Sequence, residues 1–352
     1  MSQLQSLVAA GFDDWQSLGD VYAKRQDDLI LFNYSPLAAI HNRWNWFERV
    51  SRGLILDART GTTVARPFDK FFNWGEGGRM TDAPIRIVTE KMDGSLGIGF
   101  WHNDQWHVAT RGSFDGEQAQ WATERLRRRI ASLNGYAATY GSVYGTLLFE
   151  IIYPENRIVV DYGDRAELVL LAMRWPTGQY AARSVVKAAA TSIGVPVVEV
   201  HSFDTPADIV TMCAQLDANH EGFVAEFDDG QRFKFKGDVY RELHRLINGL
   251  TWNRAVEVSA AGTVDEARRV IPDEFLNEFD GWIAEIEAQV AQVVDDVEVA
   301  FAGAPNQTRR VFAMWVNETH PKLAPYLFAR LDGRDYRPMI YRRESRQPDH
   351  IS

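Results

Sequence analysis

The sequence predicts an α+β protein, with antiparallel sheets and flanking helices over residues 1–240 and a small all-helical region over 241–352. Three observations support this. Up to about residue 240 the chain carries many short apolar runs bounded by Gly, Asp, Asn and Pro, with few and unevenly spaced helical stretches between them. That pattern favours α+β over a regular βαβ winding. From Asp238 onward, apolar residues fall at helical spacing, and a proline-free run over 273–302 reads as one long helix. No internal repeat with a period of roughly 20 to 50 residues is visible, which sets solenoids and propellers aside.

The elements follow in order. Strands are expected at 85–88, 96–100, 106–110, 147–153, 168–173, 197–200, 223–227 and 233–235, each a short apolar run between turn-forming residues. Helices are expected at 118–133, 184–193 and 207–216, the last behind a Thr205-Pro206 start signal. In QRFKFKG, alternation buries Phe233 and Phe235 and turns Lys234 and Lys236 together to the opposite face.

Composition narrows the function. Hydrophobic residues at 45% and charged residues at 24% are ordinary for a globular chain, and 352 residues leave room for two domains. The single cysteine, Cys213, allows neither an intrachain disulfide nor a thiolate metal cluster. The opening MSQLQSLVAAGFDDW lacks a basic, apolar leader pattern, and no stretch approaches ~20 uninterrupted apolar residues. A cytoplasmic protein with no membrane partner is therefore expected. The net charge of −10 argues against indiscriminate coating of nucleic acid, which relies on many Lys and Arg contacts to phosphate. It leaves room for a local basic groove. Two arginine-rich stretches exist, Arg125 with Arg127, Arg128 and Arg129, and a tail holding Arg330, Arg334, Arg337, Arg342, Arg343 and Arg346, whereas acidic residues concentrate over 265–298.

The most informative segment is EKMDGSL. Lys91 follows one apolar strand and precedes an Asp93-Gly94 turn into the alternating LGIGF, so it stands at the mouth of a hairpin-like corner. A lysine amine is a nucleophile only when neutral, and nearby cations and partial burial favour the neutral form. Lys234 and Lys236 are two such cations, although an amphipathic strand with a solvated lysine face would read the same way. Arg52 in SRGLILD, Glu150 in LLFEIIYPENRIVV and Glu221 in HEGFVAEF are polar residues set within apolar strands. A buried carboxylate such as Glu150 needs a partner, for which Arg157 is the near alternative. Lys70 in PFDKFFNWGE is equally consistent with an exposed lysine beside two core aromatics.

Taken in order, SRGLILD, PFDKFFNWGE, EKMDGSLG, ATRGSF, FEIIYPENRIVVDYG, EGFVAEF and FKFKGDVY resemble the nucleotidyltransferase motifs of the covalent ligase and capping-enzyme superfamily. In particular they resemble the bacteriophage-type RNA ligase 1 family, over roughly residues 30–240. The resemblance implies an antiparallel-sheet adenylyltransferase domain followed by a small helical domain, and an ATP-dependent RNA ligase. Lys91 would carry AMP, with Asp93 and Gly94 shaping its pocket. Arg52 and Lys70 would contact ATP phosphates, and Phe72 would be an aromatic of the nucleotide pocket. Glu150 would meet the ribose hydroxyls, Glu221 would support the lysine and metal, and Lys234 and Lys236 would hold the α-phosphate. Tyr240 would serve ligation, and Phe32 and Tyr34 would line the adenine site. Arg111 stands where the family has lysine, retaining charge with different geometry.

The same resemblance implies Mg²⁺, with Mn²⁺ as a substitute, and places Asp273 and Glu274 at a metal-holding acidic pair, a pair that a helix N-terminus explains equally well. It implies RNA with 5′-phosphate and 3′-hydroxyl ends as substrate, RNA repair as setting and an end-healing kinase-phosphatase as partner. DNA ligases and capping enzymes usually resemble a nucleotidyltransferase fused to an OB barrel, which the helical texture after Asp238 disfavours. An inactive nucleotide- or RNA-binding relative would not need Lys91, Glu150, Glu221, Lys234 and Lys236 together.

Overall fold

Alternation with period two builds three sheets, and each takes its place by what its two faces bury. The computed structural model describes residues 1–131, 145–247, 249–271, 275–305 and 308–343. It divides into two units, Met1–His244 and Arg245–Ser352.

The first sheet of the first unit is an antiparallel meander of β1 (Val21–Gln26), β2 (Leu29–Tyr34), β3 (Arg52–Asp57) and β4 (Thr63–Ala65). Strand β2 is buried along its whole length because both its faces are covered. Ile30 and Phe32 pack on α1 (Ser2–Ala9) and α3 (Trp46–Val50), while Leu29 and Leu31 pack on the second sheet. A short α2 (Pro36–His41) joins β2 to α3.

The second sheet has the order β10-β9-β7-β8, with β7 (Ser95–His102), β8 (Gln105–Ala109), β9 (Thr146–Ile152) and β10 (Glu167–Arg174) all antiparallel. Helices α4 (Glu117–Ala131) and α5 (Arg183–Ile193) cover one of its faces with the largest apolar core. The third sheet has the order β11-β6-β12-β13-β5, built from β5 (Phe72–Asn73), β6 (Ile85–Glu90), β11 (Val200–His201), β12 (Gly222–Phe227) and β13 (Arg232–Lys236). Its pairs are antiparallel except β13 with β5. Phe233 and Phe235 are buried under α6 (Pro206–Cys213), as alternation requires, together with Val88 and Phe223. Thr205 caps α6 reciprocally with Asp208, and proline at the first helical position completes the start signal.

Three differences from the sequence reading have local causes. The expected strand at 197–200 pairs as a strand only over Val200–His201. Its earlier residues cross from one sheet to another, Val197 bridging Leu170 and the Glu199 carbonyl accepting the Glu90 N–H at 3.0 Å. Helix α6 stops at Cys213, before the expected 216, where Ala214 caps it. Residues 132 and 133 of the expected helix at 118–133 lie outside the described residues.

Helix α7 (Asp238–Ile247) follows β13 and carries Tyr240 into the first unit. The second unit contains α8 (Trp252–Ala261), α9 (Val264–Val270), α10 (Leu276–Ala302), α11 (Arg309–Thr319), α12 (Ala324–Leu331) and α13 (Arg337–Arg343). Helix α10 is the long helix the sequence predicts. One apolar cluster forms where α8 meets its first half and another where α11, α12 and α13 meet its second half. Asp273, Glu274 and Arg346 lie outside the described residues. Among the described residues no helix is long and apolar enough to cross a membrane.

Candidate active site

Lys91 leaves the end of β6 with its N–H bonded to the Gly222 carbonyl at 2.8 Å. Gly222 has φ +136°, and a Cβ there would stand 2.0 Å from the Phe235 carbonyl oxygen, so only glycine lets β12 begin this close to β13. That close approach delivers Glu221. Its Oε2 lies 2.7 Å from Lys91 Nζ and its Oε1 lies 3.0 Å from Lys236 Nζ. The Glu221 side chain is 3% exposed, Lys236 is 7% exposed and Lys91 is 20% exposed, so of these charged groups the Lys91 amine is the one most open to a ligand. A buried carboxylate held between two ammonium groups satisfies the pairing that burial demands.

Asp93 is buried and fixes the turn rather than facing a ligand. Its Oδ2 accepts the backbone N–H groups of Val159 and Val160, both at 2.8 Å, and its Oδ1 accepts the Tyr240 hydroxyl at 2.7 Å. The Asp93 N–H in turn donates to the Tyr162 hydroxyl at 2.9 Å. This is the structural content of the NRIVV segment, residues 156–160: it supplies the N–H groups that hold the DG turn, while Asn156 accepts from the Ser95 hydroxyl and donates to the Ile151 carbonyl. Gly94 completes the turn, since a Cβ there would meet the Ile151 carbonyl at 2.6 Å and Glu150 Cγ at 3.1 Å.

A cavity of about 700 Å³ opens between the second and third sheets, with Lys91 on its wall. The second sheet contributes Leu96, Glu150, Leu171 and Ala172, the last two admitted together by a register shift in β10. From the third sheet come Thr89, Val224 and Lys234. Arg52 also reaches the cavity, and its Nη1 is buried without a hydrogen-bond partner. Burial pushes the Glu150 carboxyl up to about 8 against the pull of Lys91, with Glu221 and Asp93 adding to the rise and Arg52 opposing it. The near alternative for Glu150 is not realised: Arg157 Nη1 pairs with Asp161 at 2.8 Å.

The structure thus brings Lys91, Glu221, Lys236, Lys234, Glu150, Arg52 and Gly94 together. It places Lys70, Phe72, Tyr34 and Arg111 in a second group. Lys70 Nζ is buried among the rings of Trp44, Phe72 and Tyr34, at 4.8, 5.3 and 5.7 Å from their centroids. Arg111 donates to the Tyr34 hydroxyl at 2.8 Å. The two groups adjoin, because the Arg111 backbone runs against Gly53, next to Arg52. Phe32 lies in the apolar core under α1 and α3, away from both groups.

Two of the expected site residues lie off the cavity wall. Phe71 lines the cavity together with Phe68 and Tyr180, whereas Phe72 lies in the second group, beside Lys70, Tyr34 and Trp44. Tyr240 is 1% exposed and serves Asp93 from behind the turn. The sequence reading also missed one cavity wall. Arg232 lies over the Tyr180 ring at 3.6 Å and pairs with Glu226, and Tyr180 stacks on Phe68. Arg232 was within reach, being the same i, i+2 step before Lys234 that Lys236 is after it.

The chain is similar to several known proteins. A family model described as RNA ligase matches residues 50–240, more than half of the chain. A protein of the Autographa californica nuclear polyhedrosis virus, named as a bifunctional polynucleotide kinase/RNA ligase, is 30% identical over 245 residues, covering 62% of this chain and 34% of the viral protein. A protein of Thermovibrio ammonificans named as an RNA ligase is 27% identical over 242 residues, covering 61% of each chain. The RNA ligase of Rhodothermus phage RM378 is 22% identical over 398 residues, covering 89% of this chain and 87% of the phage protein. The match therefore spans about a third of the viral relative and about three-fifths of the bacterial one. With the family match covering every element that builds the Lys91 site, the chain belongs to the phage-type RNA ligase 1 family.

Proposed function

We propose that this protein is an ATP-dependent RNA ligase that joins an RNA 5′-phosphate to a 3′-hydroxyl through a lysyl-AMP intermediate. The observation that carries the reading is the Lys91 amine on the wall of a cavity, 2.7 Å from a buried Glu221 that is shared with Lys236.

In the first step the neutral Lys91 amine attacks the α-phosphorus of ATP. The bond to pyrophosphate breaks, a P–N bond forms, and Glu221 Oε2 is the nearest acceptor for the amine proton. Lys234 and Lys236 face the charge that spreads over the α-phosphate oxygens, and Arg52, with its partnerless Nη1, takes a departing phosphate oxygen. Lys70 and Arg111 extend this cationic track, and Tyr34 orients Arg111. Glu150 meets the ribose hydroxyls. In the second step an oxygen of the RNA 5′-phosphate attacks the same phosphorus and the P–N bond breaks. In the third, the RNA 3′-hydroxyl attacks the activated 5′-phosphate and AMP departs.

The donor set fits a hard divalent cation. Glu150 on the cavity wall and Glu221 beside Lys91 would offer it carboxylate oxygens, and Glu150 is a carboxyl whose ionisation there is unfavourable without added positive charge. Mg²⁺ or Mn²⁺ bound there would neutralise phosphate charge. We assign no metal role to Asp273 and Glu274. We further infer that a 5′-kinase supplies the ends this enzyme joins, since the viral relative is named as combining kinase and ligase in one polypeptide.

The test is joining itself. A short RNA with a labelled 5′-phosphate and a 3′-hydroxyl is incubated with the full chain, ATP and Mg²⁺. Conversion of the label to a phosphatase-resistant form in a longer or circular product is expected, with none from RNA bearing a 5′-hydroxyl. Equal conversion without ATP by freshly purified, pyrophosphate-treated enzyme would overturn the reading.

A further inference from the structure

The third sheet carries a second polar cluster at its β11 edge. Thr89 and Val224 are cross-strand neighbours and both line the cavity. By alternation Val88 and Phe223 point the other way, into the core under α6, and Glu90, at the strand end, shares their parity while also bordering the cavity. Edge strand β11 pairs Val200 with Thr89 and His201 with Val88, so His201 shares that far face. The Glu90 N–H bond to the Glu199 carbonyl continues the register and sets Glu199 opposite Glu90. One donor atom from each of Glu90, Glu199 and His201 lies within 4.8 Å of the others.

Nothing within the described protein balances this arrangement. Two carboxylates directly across a strand pair repel each other, and neither is joined to a basic residue among the described residues. His201 Nε2 is buried and makes no hydrogen bond, while the ring is held edge-on to Phe223 with centroids 5.1 Å apart. A buried ring nitrogen without a partner is costly, and a metal ion satisfies it as well as a hydrogen bond does.

We propose that Glu90, Glu199 and His201 bind one divalent transition-metal ion of the zinc and cobalt class. One imidazole with two carboxylates is a borderline nitrogen-and-oxygen set that suits such ions, whereas Mg²⁺ keeps to oxygen ligands and water. Bonds of about 2.0–2.2 Å would draw the three donors onto one ion, and the exposed Glu199 side chain can supply any movement this needs. The ion ties the two-residue edge strand β11 to β6 at the residue before Lys91, although Glu90 also borders the cavity. It is a structural clip behind the nucleophile, separate from the cation that accompanies ATP.

The test uses the tag-free full chain, stripped with chelator and held in excess Mg²⁺ to fill oxygen-ligand sites. Zn²⁺ is titrated calorimetrically and Co²⁺ by its visible absorption. The wild type is expected to take up one equivalent of either ion, and H201A and E199Q each to bind at least tenfold more weakly. The Co²⁺ band of the wild type should be lost in H201A. Because Glu199 is exposed, E199Q removes a ligand without disturbing the core, and equal melting of the metal-free forms shows that the fold is kept. Absence of saturable binding, or binding by both variants as tight as the wild type's, overturns the proposal.

Discussion

Glu150→Gln should make the protein less sensitive to rising pH. In the folded chain the Glu150 carboxyl holds its proton to about 8, against an ordinary value of 4.5. Below about 4.5 both folded and unfolded chains are protonated there, and the group leaves stability unchanged. Between these values unfolding releases a proton, so each pH unit lowers wild-type stability by about 1.4 kcal/mol relative to glutamine, which keeps the shape of the protonated acid. Above about 8 both states are ionised and the loss is complete. From pH 5 to pH 7.5 the ceiling is about 3 kcal/mol; contact with the open cavity reduces it to something on the order of 2 kcal/mol. The assay is paired urea denaturation of wild type and E150Q across this range at one ionic strength, reading only the difference between them. The glutamine protein should gain on the wild type as pH rises. A difference that stays flat would refute a raised Glu150 and, with it, the argument that the cavity favours added positive charge.

Two further outcomes follow from the same geometry. Lys236→Ala removes one of the two ammonium groups on Glu221 and should slow formation of the Lys91 adduct more than tenfold, at least ~1.4 kcal/mol of transition-state stabilisation, read by single-turnover labelling; an unchanged rate would make this lysine a packing residue. Tyr240→Phe strips a buried hydrogen bond from Asp93 and should cost about 1–3 kcal/mol in a thermal or urea melt, with adduct formation impaired through the loosened turn; a melt identical to the wild type's would contradict the positioning role.

Much of the site is legible because strands impose a period of two. The run QRFKFK states which residues are buried and which share a face, and the structure buries Phe233 and Phe235 and turns Lys234 to the cavity. Glu150 within LLFEII and Glu221 before glycine stand out because an isolated carboxylate among apolar residues needs a specific partner. Phe71 and Phe72 show where such reading stops. Phe71 meets the cavity and Phe72 the group of Lys70, Tyr34 and Trp44, a long-range placement that no local pattern encodes. Tyr240 was legible as a matched position, but its place behind Asp93 depends on how α7 packs against the NRIV loop. No strand or helix is expected from the first 84 residues, where β2 is buried on both faces and carries no clean alternation.

The central claim is that Lys91 is the nucleophile, and the most direct measurement is transfer of label from ATP to protein. The full chain is incubated with Mg²⁺ and ATP labelled at either the α- or the γ-phosphate, denatured, and digested for peptide mapping. Label from the α-position should attach covalently to the peptide containing Lys91, label from the γ-position should not, and both Lys91→Ala and Lys91→Arg should abolish the adduct, since arginine keeps the charge without offering a neutral amine. Labelling that persists in either variant, or that maps to another residue, would contradict the account.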